Sequence, residues 1–301
     1  MSEVILGEMP TLSRLYLTAA STAARHKLGV GQQTEQLPAV RHTVDGVHIA
    51  PERVSGFQQL MHGTVRDTLP SVFLHSVAFP VAMSVMTRQD FPLPLLGMVH
   101  LANRVNHLRP VHFTEPLTVT AWAEGLRGHH AGTQVELHTR IEAGGETVWE
   151  GVSDYLAKAV YLPGLDKAFR PERTDFIPPQ PTARWRLGPE AGREYAGVSG
   201  DFNPIHLSAV SAKMLGLKRS IAHGMYLASR VLTSVEATAS EPFSWRIDFA
   251  APVFLPATVA VRIHDTERNG SWESSEFSGW GERSHRLHFT GSVNTLSGED
   301  S

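Results

Sequence analysis

LPSVFLHSVAFPVAMSVMT, residues 69–87, is uncharged from end to end. Read alone, it invites a membrane span. It also holds Pro70, Pro80, His75 and three serines (Ser71, Ser76, Ser84), which suit a buried core helix better. A helix that is apolar nearly all round must be covered on most sides. The sequence supplies a cover. In TQVELHTRIEA, 133–143, Val135, Leu137 and Ile141 alternate with Gln134, Glu136, His138 and Arg140, the period of a strand with one buried face. Gly144-Gly145 then predicts a turn, and ETVWEGVSDYL its hairpin partner. A helix wrapped by an antiparallel sheet is an α+β arrangement.

The second half of the chain follows the same plan. IAHGMYLASRVLTSVEA places Met225, Ala228, Val231, Leu232 and Val235 at helical spacing. TVAVRIHD, 258–265, puts Val259, Val261 and Ile263 on one strand face, and SWESSEFSGW and ERSHRLHFTGSV read as weaker strands. His75 aligns with His223 at an offset of 148, and Pro110 with Pro252 at an offset of 142. Two similar offsets near half of 301 residues suggest tandem duplication. Between the halves, residues 163–189 hold six of the 19 prolines and read as an extended linker. The expected organisation is therefore an N-terminal unit over 1–162, a Pro-rich linker over 163–189 and a C-terminal unit over 190–301.

Composition narrows the function. With 42% apolar and 19% charged residues the chain is that of a soluble globular protein. A net charge of −3 and the lack of any Lys/Arg run of five argue against nucleic acid as a partner. No cysteine is present, which excludes disulfides, thiolate nucleophiles and Cys-based metal sites. The start, MSEVILGEMPTLSRLYL, carries acids and no long apolar block, so no signal peptide and no membrane association are expected, and a cytoplasmic setting is.

One loop breaks the symmetry between the halves. YAGVSGDFNPIHLSAVSAKMLGLKRS precedes the second helix, whereas the first has VSGFQQLMHGTVRDTLP. Asn203 is a good N-cap, and Pro204 suits the first helical position. The helix is expected to run through HLSAVSAKML and stop at Gly216. That leaves Asp201 in the loop and His206 in the first turn, able to converge. In IAHGM, Gly224 falls in the first turn of the next helix, where N–H groups lack partners and carry the positive end of the dipole. A base, an acid and an oxyanion donor suit proton chemistry next to a carbonyl.

YAGVSGDFNPIH followed by IAHGM resembles the signature of the MaoC-like, (R)-specific enoyl-thioester hydratases. FPLPLLGMVHLANRVNHLRPV is similar to the N-terminal unit of their double-hotdog members, notably actinobacterial 3-hydroxyacyl-thioester dehydratases. The likeness covers roughly residues 35 to 295. It implies a double hotdog fold, two tandem units each with a long helix wrapped by an antiparallel sheet. It implies the reversible hydration of trans-2-enoyl thioesters to (R)-3-hydroxyacyl thioesters in fatty-acid metabolism, a carbon–oxygen lyase activity. Asp201 and His206 match the catalytic dyad, Gly224 the glycine whose N–H receives the thioester oxygen, and Asn203 a residue that shapes the site. Which dyad member moves which proton stays open. The implied partner is an acyl-CoA or acyl-carrier-protein thioester, with a homodimer left open and no cofactor or metal. A hydratase of short, branched or dicarboxylic acyl-CoA is the alternative, as is a non-catalytic acyl-thioester binding module, which would need neither Asp201 nor His206.

Other residues have plainer readings beside sharper ones. His223 fits either a local hydrogen bond or a substrate contact, and Tyr195 fits packing. Lys213, Lys218 and Arg219 fit either a solvated surface or the phosphates of coenzyme A or a phosphopantetheine arm. Gly197-Val198-Ser199-Gly200-Asp201 is close to a nucleophile elbow, but Asp201 stands where glycine is required. His129-His130 and His285/His288 have no acid to complete a metal site. Gly29 and Gly31 lack the third glycine of a nucleotide loop. Phe73, Phe79 and Phe91 fit either plain core or the wall of an acyl pocket.

Overall fold

The computed structural model describes residues 1–27, 34–170, 172, 175–236, 242–268 and 270–296. The pair Gly29 and Gly31 lies outside the described residues. Along the chain run β1 (Ser2–Ile5), α1 (Leu12–Lys27), β2 (Val40–Val47), α2 (Pro51–Leu60), α3 (Ser71–Met86), β3 (Met98–His107), β4 (Leu117–His129), β5 (Gly132–Ala143) and β6 (Glu146–Lys158). Then follow β7 (Ala183–Leu187), α4 (Ala191–Ser199), α5 (Pro204–Leu207), α6 (Ala209–Met214), α7 (Gly224–Glu236), β8 (Phe243–Phe249), β9 (Ala257–Arg268), β10 (Ser271–Gly281) and β11 (Leu287–Thr295). Two compact units result. One holds Met1–His48, Val77–Asn103 and Glu115–Arg173, the other Ile49–Ser76, Arg104–Thr114 and Thr174–Ser301.

In the first unit the strand order is β1-β2-β4-β5-β6-β3. The expected strand over 133–143 is β5, whose residues alternate between buried and half-buried from Thr133 to Ala143. Gly144 and Gly145 both have positive φ, +61° and +81°, the backbone a two-residue hairpin turn needs. Across that turn Ala143 faces Glu146 in an antiparallel ladder with β6. β1 adds a parallel edge, Ser2 opposite Val40. No described helix is long and apolar enough to cross a membrane. The run that opened the question is α3, whose side chains are buried on nearly every side from Ser71 to Met86.

In the second unit the order is β8-β11-β10-β9-β7, with all four pairings antiparallel. Its helix is α7, with Ala228, Val231, Leu232 and Val235 fully buried and Ser234 exposed. Leaving β1 aside, both sets of strands trace one path, β2-β4-β5-β6-β3 and β7-β9-β10-β11-β8. The repeat seen in two short alignments is thus a repeat of whole topology. The Pro-rich stretch 163–189 contains β7, which pairs Ala183 to Leu187 with Val261 to Ala257. Trp185 and Leu187 are buried there, and burial of those two large side chains turns the end of a linker-like segment into a strand. The second unit also takes α2 and the first turns of α3. Phe57 meets Phe73 edge to face at 5.3 Å and Tyr195 at 6.3 Å. Phe73 and Phe91 are core residues, and Phe79 is half-buried.

Candidate active site

α4 ends where the site begins. Gly200 takes the left-handed conformation, φ +83°, and its N–H bonds the Ala196 carbonyl, closing the helix. The Ser199 hydroxyl donates to the Tyr195 carbonyl at 2.8 Å and accepts the Asp201 N–H at 3.2 Å. Ser199 is thereby a buried helix-end residue and not a nucleophile. The next three residues form a capped turn. Asp201 Oδ1 accepts the Asn203 N–H at 3.2 Å, and Asn203 Oδ1 accepts the Ile205 N–H at 3.3 Å. Asn203 is the N-cap of α5 and Pro204 opens the helix, as the spacing predicts.

The helix expected to continue to Gly216 does not. It stops at Ser208, which is extended at φ −155° and ψ 159°, and restarts as α6 with Ser208 as N-cap. Ser208 Oγ accepts the Ser211 N–H at 3.1 Å, and the Ser211 hydroxyl donates back to the Pro204 carbonyl at 2.6 Å. Serine offers the backbone a local alternative to a continuous helix, and here it wins. Gly216, at φ +85°, follows the end of α6.

His206 is held from the far side of the loop. Its Nδ1 lies 2.8 Å from the Ile221 carbonyl, so Nδ1 carries the proton and donates. Nε2 is then the basic nitrogen of the neutral ring. The Ile221 N–H in turn bonds the Ile205 carbonyl at 3.2 Å, which pins the turn to the strand-like segment before α7. The His223 ring stacks on that of His206, centroids 3.6 Å apart and planes 24° from parallel. His223 Nε2 donates to the Asp201 main-chain carbonyl at 3.0 Å and lies 3.7 Å from its Oδ2. Burial pushes the His206 imidazolium below the ordinary 6.5, although the Asp201 charge and the Ile221 carbonyl pull the other way. His223 is pushed down further, by burial and then by the neighbouring His206. Both rings are neutral at neutral pH.

Asp201, His206 and His223 thus bring a carboxylate and two imidazoles together, with one polar atom of each inside a 4.8 Å spread. Such a set could hold a transition metal. Here one nitrogen of each ring already donates to a main-chain carbonyl, His206 Nδ1 to Ile221 and His223 Nε2 to Asp201. Sequence reading left His223 between a local hydrogen bond and a substrate contact. At 3% exposure it is buried, with its ring against that of His206. Tyr195 is packing, as expected, buried between Phe57, His223 and Tyr226, with its hydroxyl pushed up by burial.

Gly224 is the first residue of α7, so its N–H and those of Met225 and Tyr226 have no acceptor within the helix. Its α-carbon does not face open space. A Cβ there would stand 2.9 Å from the Phe249 ring of β8. The glycine lets the start of α7 press against that ring. Lys218 and Arg219 lie exposed on the segment leading into α7, Arg219 within 6.0 Å of the Phe254 ring, and neither joins the dyad. Among the described residues His129-His130 and His285/His288 gather no third ligand.

Two contributors escape a reading by motif. Arg53 of α2 donates from Nε to the Val198 carbonyl at 3.3 Å and from Nη2 to the Ser199 carbonyl at 3.2 Å. It caps the C-terminal end of α4 immediately before Gly200 and Asp201, where a cation also meets the negative end of the helix dipole. Gly192 of α4 is the second. A Cβ at that position would come within 2.0 Å of the His206 carbonyl oxygen. No local signal marks Arg53, which lies 146 residues from Ser199. Gly192 has one weak signal, a glycine inside an otherwise helical run.

The MaoC like domain model matches residues 171–278. The chain is 34% identical over 252 residues to 3-hydroxyacyl-thioester dehydratase X of Mycobacterium tuberculosis, covering 83% of this chain and 89% of that protein. The solved structure of that protein, HtdX, superposes with a TM-score of 0.73 at 30% identity, over 85% of this chain and all of the other. Fatty acid synthase subunit beta of Saccharomyces cerevisiae is 34% identical over 121 residues, 38% of this chain and 6% of that protein.

Proposed function

The chain belongs to the MaoC-like 3-hydroxyacyl-thioester dehydratases, hotdog-fold enzymes of fatty-acid metabolism, and on that premise we propose its reaction and its catalytic residues. It adds water across the double bond of a trans-2-enoyl thioester to give the (R)-3-hydroxyacyl thioester, and catalyses the reverse loss of water. The observation that carries this is the fixed tautomer of His206. Its Nδ1–H is committed to the Ile221 carbonyl, which leaves Nε2 as a base beside the Asp201 carboxylate.

In the hydration direction the Asp201–His206 pair orients a water and His206 Nε2 takes its proton. The hydroxyl bonds to C3, the C2–C3 π electrons move toward the thioester carbonyl, and the oxygen becomes an enolate. The first N–H groups of α7, Gly224 foremost, face that charge. The dyad returns one proton to C2, so one water is added and both residues end as they began. Asn203 fixes the turn that carries the pair. His223 holds the Asp201 main chain and the plane of the His206 ring. Lys218 and Arg219 supply positive charge for the phosphates of the thioester carrier. The cytoplasmic setting expected from the sequence belongs to the same proposal.

The test is loss of enoyl-thioester absorbance over a series of acyl-CoA lengths, with and without a chelator. Turnover on at least one length, unchanged by the chelator, is expected. No turnover on any thioester overturns the proposal. Activity lost to chelation and restored by a divalent ion would move the base from His206 to metal-bound water.

A further inference from the structure

α6 is a short helix with the wrong side outward. Val210, Lys213 and Met214 stand at i, i+3 and i+4 and so share one face. Val210 is 71% exposed and Met214 83%. Leu215, next in the chain, and Phe202, beside Asp201, are each more than half exposed. From Phe202 to Ala222 the sequence has three cations, Lys213, Lys218 and Arg219, and no acid, in a chain whose net charge is −3. Among the described residues none of the three forms an ion pair. The helix is not a loose flap. Ser208 caps it and the Ser211 hydroxyl ties it to Pro204, at the start of the turn that carries His206.

We propose that the face formed by Val210, Met214 and Leu215, shouldered by Lys213, Lys218 and Arg219, docks an acidic carrier protein that delivers the thioester on a prosthetic arm. This rests on the dehydratase reading and names the form in which its substrate arrives. Apolar side chains with cations on the same helix face match a partner helix that presents apolar residues among carboxylates. Free coenzyme A would use the cations but would leave Val210 and Met214 in water. Exposed apolar residues grouped beside a site are the usual mark of a contact surface.

The experiment compares a trans-2-octenoyl group on an acidic acyl carrier protein with the same group on coenzyme A. It also measures binding of the unacylated holo carrier protein by calorimetry. For Val210→Asp and Met214→Asp, kcat/KM on the carrier-bound substrate is expected to fall at least about tenfold and the carrier Kd to rise as much, the size of a lost central contact. On the coenzyme A substrate both variants should stay within about twofold of the parent. Equal losses on both substrates, or no loss on the carrier, overturn the proposal, as does failure of the parent protein to bind the carrier. A parent protein that sediments as a dimer and becomes monomeric on Met214→Asp also overturns it, because the face would then join two copies of this chain. Turnover of the coenzyme A thioester without carrier binding sinks the docking surface alone. Turnover of neither thioester sinks the dehydratase reading, which the binding measurement does not use.

Discussion

His206 serves as a base only while its Nε2 is unprotonated. Burial lowers its pKa from 6.5, so the neutral form persists below that pH and is lost as pH falls through the lowered value. The acid limb of kcat/KM for hydration is therefore expected below pH 6.5, and a limb above it would mean that another group titrates. Asp201→Asn and His206→Ala should each lower kcat by roughly 10²–10⁴ while the fold persists. Their double variant should be little worse than either, because the two act on one proton path. Near-parental turnover in either single variant would remove that residue from the mechanism. Gly224 carries a different expectation. Since a Cβ meets the Phe249 ring at 2.9 Å, Gly224→Ala should displace the start of α7 and lower melting temperature and kcat together. Gly224→Ala combined with Phe249→Leu should recover part of both. No recovery would mean that the obstacle is not that ring.

At the scale of elements, the loop is correct only if α4 ends where it does. Arg53 holds the last two carbonyls of α4, and a lysine offers one rotatable ammonium where the guanidinium offers a fixed fork. Arg53→Ala is expected to lower kcat about tenfold with KM little changed, since the group touches the loop and not the substrate. Arg53→Lys should fall between. A loss of melting temperature with kcat intact would make Arg53 merely structural. These contacts also mark where sequence reading reaches its end. Asn203, Pro204 and Asp201 were legible because capping is local: the residues that bond each other are two apart. The break at Ser208 was not legible, because Ser211 bonds the Pro204 carbonyl across two short helices, and spacing alone favours one longer helix. Nor was β7, whose strand identity comes from Trp185 and Leu187 being buried beside β9, a segment over 70 residues away.

At the scale of the molecule, an uncharged apolar run reveals the helix α3, periodicity reveals α7 and the hairpin β5–β6, and the matching strand paths show that the repeat is complete. The chemistry is not repeated, and buried histidines outside the dyad have another role. His75 and His107 are both pushed down to about 4 by burial, as His206 and His223 are pushed down. Unfolded, each would take a proton near 6.5, so the unfolded chain binds more protons below that pH. Stability should be complete above pH 6.5 and decline toward pH 4, with a melting temperature lower by several degrees, on the order expected for a few such groups. A melting temperature flat from pH 7 to 4.5 would contradict their burial as neutral rings. The number of active sites follows from the same comparison of halves. The first half's counterpart of Gly224 is Ser76, but α3 starts at Ser71, so Ser76 stands in its second turn. Its N–H faces an acceptor inside the helix, and its hydroxyl donates to the Phe73 carbonyl at 2.7 Å. Asp67, four residues before that helix, and His112 meet only at 3.8 Å on an exposed surface. Ser76 therefore offers no helix-start N–H, and Asp67 and His112 form no buried pair. Calorimetric titration with an unreactive enoyl-thioester analogue should therefore give one site per chain, and His206→Ala should leave no residual activity of a second kind. A stoichiometry of two equivalent sites would require an oxyanion donor in the first half that does not depend on the start of α3.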